Sequence, residues 1–214
     1  MTEAEKQVAW LTGWLAEHPD AGLVYGEQWG KVTDGAMAGV FAHLCDCLAL
    51  SPGCVVEIGP GGGRWSREIA PRIPEASRLI LVDGTDAARD TLARQVRRPF
   101  DLIVSPDGKL QDVPAKSVDL VFSFDVFVHF DEGLLAGYLA EIARILKPGG
   151  RLMLHYARPW PGHPGVMADP TGCFRPIAPG CLAFLAEHFE RDDAGAYLPI
   201  PRGFGSLFVS VTRR

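Results

Sequence analysis

The spacing of apolar positions changes once along the chain. Up to residue 50 it is helical: Val8, Leu11 and Leu15 recur with Trp10 and Trp14 behind a Thr2/Glu5 pair at capping-box spacing. After an irregular stretch at 22–31, Met37, Val40, Phe41, Leu44 and Leu48 share one face of a second helix, and Pro52-Gly53 ends this part. Beyond it, short β-branched runs alternate with helical segments, the arrangement of parallel βαβ units. The pattern predicts strands at 54–58, 79–82, 100–104, 118–123 and 152–155, and helices near 64–70, 86–96 and 134–146. Lys147-Pro148-Gly149-Gly150 stops the last of these helices and turns the chain into the fifth strand. A Pro/Gly-rich insertion at 157–179 follows, then a helix at 181–189 and a closing strand at 207–212. The expected organisation is an N-terminal helical cap, 1–50, and an α/β domain, 51–214, that carries the insertion.

Composition narrows the possible partners. The chain has 214 residues with 21 Lys and Arg against 26 Asp and Glu, a net charge of −5, so it has no general attraction for phosphate backbones or anionic membranes. Nucleic acid and membrane are not expected as partners. No apolar run approaches the ~18–20 residues of a spanning helix, and Met1-Thr2-Glu3-Ala4-Glu5 lacks the basic start of a signal peptide, so a cytoplasmic location is expected. The five cysteines are odd in number and irregularly spaced, which excludes a disulfide scaffold. Cys45 and Cys47 fall in a helical pattern, where residues two apart point about 200° away from each other, and no metal site is expected.

The chemistry starts at Val55-Val56-Glu57-Ile58-Gly59-Pro60-Gly61-Gly62-Gly63-Arg64-Trp65, a buried strand running into a glycine turn that opens a helix. Such a turn lets the backbone approach a ligand and aims free N–H groups at it. Asp83, at the end of the second strand, is placed to accept both hydroxyl hydrogens of a ribose diol. A nucleoside-containing cofactor follows. A dinucleotide fingerprint beginning at Gly59 would need glycine at position 64, where this chain has Arg64.

The spacing E-x-G-x-G-x-G resembles motif I of the class I S-adenosylmethionine-dependent methyltransferases. Leu81-Val82-Asp83-Gly84 is similar to that family's ribose-binding position, and Pro106-Asp107-Gly108 to its adenine loop. The segment 118–125, ending in Ser123-Phe124-Asp125, resembles its fourth-strand motif, and 145–152 the approach to its fifth strand. The resemblance implies S-adenosylmethionine as cofactor, held by Glu57, Gly59, Gly61, Gly63, Trp65, Asp83, Gly84, Asp107, Gly108, Ser123 and Phe124. It also implies a Rossmann-like sheet of seven strands, the last antiparallel, flanked by helices. The sixth strand is expected somewhere within 191–198, and the third helix is reduced to a short piece at 109–113.

Acceptor type is read from residues at the carboxyl ends of the strands, where open α/β sheets hold their sites. Neither the N-P-P-Y-like tetrapeptide of base-amino methyltransferases nor the Pro-Cys nucleophile of cytosine-C5 enzymes is present. His129 and His155 are the candidate general bases, with Asp125 to orient one of them or to touch the cofactor; the alternatives are that His129 packs over the cofactor and that His155 is a hydrogen-bonded strand residue. Tyr25, Trp29, Arg158, Trp160 and Arg175 combine aromatic faces with hydrogen-bonding groups in irregular segments and are the candidate acceptor contacts. The expected function is methyl transfer to a small molecule, oxygen favoured, with a sugar-bearing or other secondary metabolite preferred. A protein or RNA methyltransferase and an inactive cofactor-binding partner subunit are the alternatives.

Overall fold

The computed structural model describes residues 31–157, 175–191, 198–200 and 206–214, and positions 9, 12–13 and 16–17, which are helical. The chain forms two compact units, Met1–Asp107 and Gly108–Arg214.

In the first unit, α1 (Gly35–Ala49) buries Met37, Val40, Leu44 and Leu48 of the stripe its sequence predicts, while Phe41 is only half-buried. The guanidinium of Arg72 lies 4.9 Å from the ring of Phe41 on the same helix. Three parallel strands follow, β1 (Cys54–Ile58), β2 (Arg78–Asp83) and β3 (Asp101–Val104), with β2 between the other two. All five residues of β1 are buried, so it reads as a continuous apolar run interrupted only by Glu57. Between β1 and β2 the helix is short. It is α2 (Ser66–Ile69), and it tightens into a 3-10 turn, Ala70–Arg72, where Pro71 cannot supply the N–H that would continue it. The helix α3 (Arg89–Gln95) buries Leu92. Arg98 donates to the carbonyls of Ala70, Ile73, Pro74, Glu75 and Ser77 and so holds the loop into β2.

The second unit contains β4 (Val118–Ser123), α4 (Glu132–Ile145), β5 (Leu146–Ala157), α5 (Pro179–His188), β6 (Phe189–Arg191), β7 (Leu198–Ile200) and β8 (Ser206–Arg213). Asp131 caps α4 by accepting from the Leu134 N–H at 2.9 Å. The Lys147-Pro148-Gly149-Gly150 stop signal is absorbed into β5 as an irregularity: Val118 pairs with Leu146 and Leu120 with Arg151. A Cβ on Gly150 would lie 2.9 Å from the Lys147 carbonyl oxygen, so only glycine fits.

No helix forms at 109–113. Leu110 N–H donates to Glu141 Oε2, while Arg144 donates to the carbonyls of Leu110 and Val113, so α4 side chains satisfy that backbone in place of helical bonds. The strand expected within 191–198 is split. β6 pairs with Val211 to Arg213 and β7 with Ser206 to Phe208, two successive stretches of β8 whose other edge belongs to β5. β8 runs antiparallel to β5, the reversal expected of the last strand. Among the described residues, three strands in one unit and four sheet positions in the other match the seven of the Rossmann-like α/β class.

Candidate active site

In the first unit the turn is made by backbone. Gly59, Gly61 and Gly63 adopt φ of 72°, 51° and 91°, the left-handed region that side chains disfavour. At Gly63 a Cβ would also stand 3.2 Å from Cβ of Gln95 and 3.3 Å from Cδ2 of Leu92. Gly59 N–H donates to the Val82 carbonyl at 2.7 Å, which ties the start of the turn to the end of β2. Asp83 is the next residue on that strand. Its Oδ2 accepts from Gly61 N–H at 3.4 Å and its Oδ1 from Thr85 N–H at 3.3 Å. Burial pushes this carboxyl up to about 6, against the lowering effect of the Gly61, Thr85 and Gly84 N–H groups.

Glu57, at 1% exposure, is deeper. Ser66 Oγ donates to its Oε2 at 2.6 Å from the first turn of α2. Burial, opposed by Ser66 and reinforced by the charge of Asp83, pushes Glu57 up to about 8, so in the ligand-free protein it is largely protonated at neutrality. Trp65 is buried beneath the Arg64 guanidinium, which lies 5.8 Å from its ring. Asp107 is exposed at the end of this unit. The donor set fits a nucleoside cofactor. A carboxylate faces a glycine backbone that no side chain can obstruct, and an exposed acid ends the loop after β3.

In the second unit the chain leaves β4 at buried Ser123 and Phe124 and turns at Asp125, a non-glycine residue with φ of 63°. Asp125 N–H donates to Nδ1 of His155, 3.1 Å away on β5. His155 has no solvent exposure, and Phe124 stacks on its ring at 4.5 Å and 15°. The 3-10 turn Phe127–His129 follows, with His129 half-buried. Arg175, also half-buried, donates its N–H to the Val128 carbonyl, so the returning end of the insertion is tied to this turn. Ile177 N–H likewise donates to the Ala157 carbonyl at 2.7 Å, beside an Ala157–Pro176 bridge, which brings the insertion's two ends together. Gly108 has φ of 79°, and a Cβ there would meet the Tyr138 ring at 3.0 Å.

Two groupings of the expected residues therefore stand out: Glu57, Gly59, Gly61, Gly63, Asp83 and Gly84 in the first unit, and Ser123, Phe124, Asp125, His129, His155 and Arg175 in the second. Tyr25, Trp29, Arg158 and Trp160 lie outside the described residues. Sequence reasoning missed Ser66, Thr85 and Phe208. Ser66 had a usable signal, a hydroxyl in the first turn of the helix that the glycine turn opens. Phe208 had none, because its place opposite His155 exists only in the β5–β8 register. Among the described residues, no three His, Cys, Asp or Glu side chains are grouped to hold a metal ion, and no helix is long and apolar enough to cross a membrane.

Residues 56–154 match the family described as methyltransferase domain. Dimethylglycine N-methyltransferase of Parasynechococcus marenigrum (strain WH8102) is 34% identical over 100 residues, covering 46% of this chain and 35% of that protein. Phosphoethanolamine N-methyltransferase 1 of Triticum aestivum is 25% identical over 104 residues, covering 47% and 20%. The chain thus spans little more than a third, at most, of the curated relatives it matches. Over its whole length it resembles the fold of a Burkholderia thailandensis 1,6-didemethyltoxoflavin-N1-methyltransferase crystallised with 1,6-didemethyltoxoflavin and S-adenosylhomocysteine. The TM-score is 0.66, with 20% identity and coverage of 100% of this chain and 91% of the other. The glycine turn and its paired acid on β2 lie inside the matched span, and residues 56–154 are a methyltransferase domain of the S-adenosylmethionine-dependent class I kind.

Proposed function

We propose that this chain transfers a methyl group from S-adenosylmethionine to a nitrogen of a small-molecule acceptor. The observation that carries the reading is Asp83, whose carboxylate accepts from Gly61 and Thr85 N–H at the mouth of the 59–63 turn. S-adenosylmethionine, when bound, supplies the electrophilic methyl group. Asp83 accepts from its ribose hydroxyls, and Gly59, Gly61 and Gly63 let the backbone approach it. Glu57, Trp65, Gly84 and Asp107 complete the cofactor contacts that the first unit offers. His129, Asp125 and Arg175 face the acceptor.

Nitrogen has more support than the oxygen expected from sequence. Both curated relatives are named N-methyltransferases, of dimethylglycine and of phosphoethanolamine. A neutral amine also needs no base, whereas an aliphatic hydroxyl does. Oxygen transfer is the competing reading, with His129 as base.

The test is conversion of S-adenosylmethionine to S-adenosylhomocysteine by the purified chain with matched amine and hydroxyl acceptors. Turnover with amines alone supports the reading. Turnover with hydroxyl compounds alone replaces nitrogen by oxygen, and turnover with only protein or RNA removes the small molecule. Cofactor binding without any turnover indicates an inactive binding module, and binding of NAD in place of S-adenosylmethionine overturns the whole assignment.

A further inference from the structure

We propose that His155 is a positioning residue, whose Nδ1 holds the backbone of Asp125 in the left-handed conformation that shapes the 124–129 turn. The effect on catalysis rests on the methyl-transfer reading above; the effect on the turn does not.

The geometry comes from three strands of the second unit. Leu154 pairs with Ser123, which sets the next residue of β5 beside the end of β4. His155 itself faces Phe208 across the β5–β8 register. Phe124 stacks on the imidazole at 4.5 Å and lies 6.2 Å from Phe208, so the ring is confined by aromatic neighbours from β8 and from the end of β4. In that setting Nδ1 lies 3.1 Å from the Asp125 N–H. The Asp125 carboxylate is farther, with Oδ1 at 3.7 Å, so the backbone amide and not the side chain is what the ring holds.

Two consequences follow. Asp125 has φ of 63° without being glycine, and a bond to its N–H from a buried, immobile acceptor selects that conformation over the extended one. A general base needs an available lone pair on an imidazole nitrogen. The Nδ1 pair is occupied by Asp125, and in the neutral ring the hydrogen then sits on Nε2. His155 is thereby removed as the base, while the turn it holds carries Asp125 and His129.

The experiment replaces His155 in the full chain by Asn, Gln and Leu. Asn puts an accepting oxygen near the Nδ1 position but takes no proton near neutrality; Gln carries the same amide one methylene farther; Leu accepts nothing. Hydrogen exchange of 124–129, cofactor affinity, and kcat and KM for the acceptor are measured. Leu and Gln are expected to speed exchange of the turn at least about tenfold and to lower kcat/KM by a similar factor, with cofactor affinity within a few-fold. Asn is expected to restore both toward wild type. If Asn keeps native exchange yet loses about 10²–10⁴-fold in kcat, the imidazole is a base and the proposal fails. It fails equally if Leu leaves exchange unchanged, or if Gln holds the turn as well as Asn. Should Leu not fold, the Asn and Gln comparison decides alone. A wild-type chain with no turnover on any acceptor would sink the methyl-transfer reading and leave the exchange result standing.

Discussion

The glycine turn of the first unit and the turn after β4 in the second both require positive φ, and they obtain it by opposite means. Gly59, Gly61 and Gly63 adopt it because they have no Cβ, and no partner has to be recruited. Asp125 adopts it with a Cβ in place and with its N–H held by a histidine 30 residues away. The first device is written in neighbouring residues and tolerates changes elsewhere. The second depends on strand pairing, so a substitution on β5 or β8 reaches it. Under the proposed function, the first suits a backbone that must approach a common cofactor and the second a surface adapted to one acceptor, because its shape is set by exchangeable side chains.

The comparison can be broken on the acceptor side alone. Deleting 162–165 from the insertion, whose ends are joined at Ala157 and Ile177, should abolish turnover, a loss of at least about 100-fold, with cofactor affinity kept within a few-fold. Calorimetry and turnover together check it; surviving turnover would make the segment a tolerated surface excursion.

The opposite break is Asp83→Ala. It removes the proposed acceptor of two ribose hydroxyls and should weaken S-adenosylmethionine at least about tenfold, since hydrogen bonds to a charged group are each worth ~1.5–3 kcal/mol. Hydrogen exchange of 124–129 should not move. A parallel change in both would mean that the two turns are not separable devices.

Acidity sharpens the difference further. The proposed role has ribose hydroxyls donate to ionised Asp83, whose carboxyl is pushed up to about 6, so cofactor affinity should be full above that pH and fall below it by up to about tenfold per unit. Asp83→Asn should bind weakly with that slope gone. A wild-type slope centred near 4 would show that the carboxyl is not shifted by burial.

The stability of the cofactor-free protein carries a pH dependence of its own. The folded value for Glu57, about 8, lies above its ordinary 4.5, so the native state holds a proton that the unfolded chain releases. The resulting stabilisation is complete below 4.5 and is lost as pH rises through about 8. Between pH 6 and 8 it costs at most about 1.4 kcal/mol per unit. Glu57→Gln should flatten that part of the curve in urea unfolding of the cofactor-free protein; an equally steep curve would place the titration elsewhere.

The sequence by itself determined the strands at 54–58 and 118–123, the glycine turn and Asp83 as its acidic partner, whereas the reversal of the final strand was implied only by the family resemblance. The former are properties of backbone conformation and of hydrophobic period, which neighbouring residues dictate. It did not reveal that 109–113 would be a turn, because the groups satisfying that backbone, Glu141 and Arg144, sit on a helix some thirty residues later. It left the sixth strand unplaced, because β6 and β7 are too short to show a period and are defined by their pairing with β8. Gly108 was legible as a loop glycine, but the Tyr138 ring that forbids a side chain there was not. The histidines mark the limit most clearly. Sequence brought His155 to the carboxyl edge of the sheet, where a base is expected; only the tertiary structure decided that its ring is buried under Phe124 with Nδ1 turned to a backbone amide. What an ionisable group can do is set by whatever surrounds it in space, and those neighbours come from strands whose register no local pattern encodes.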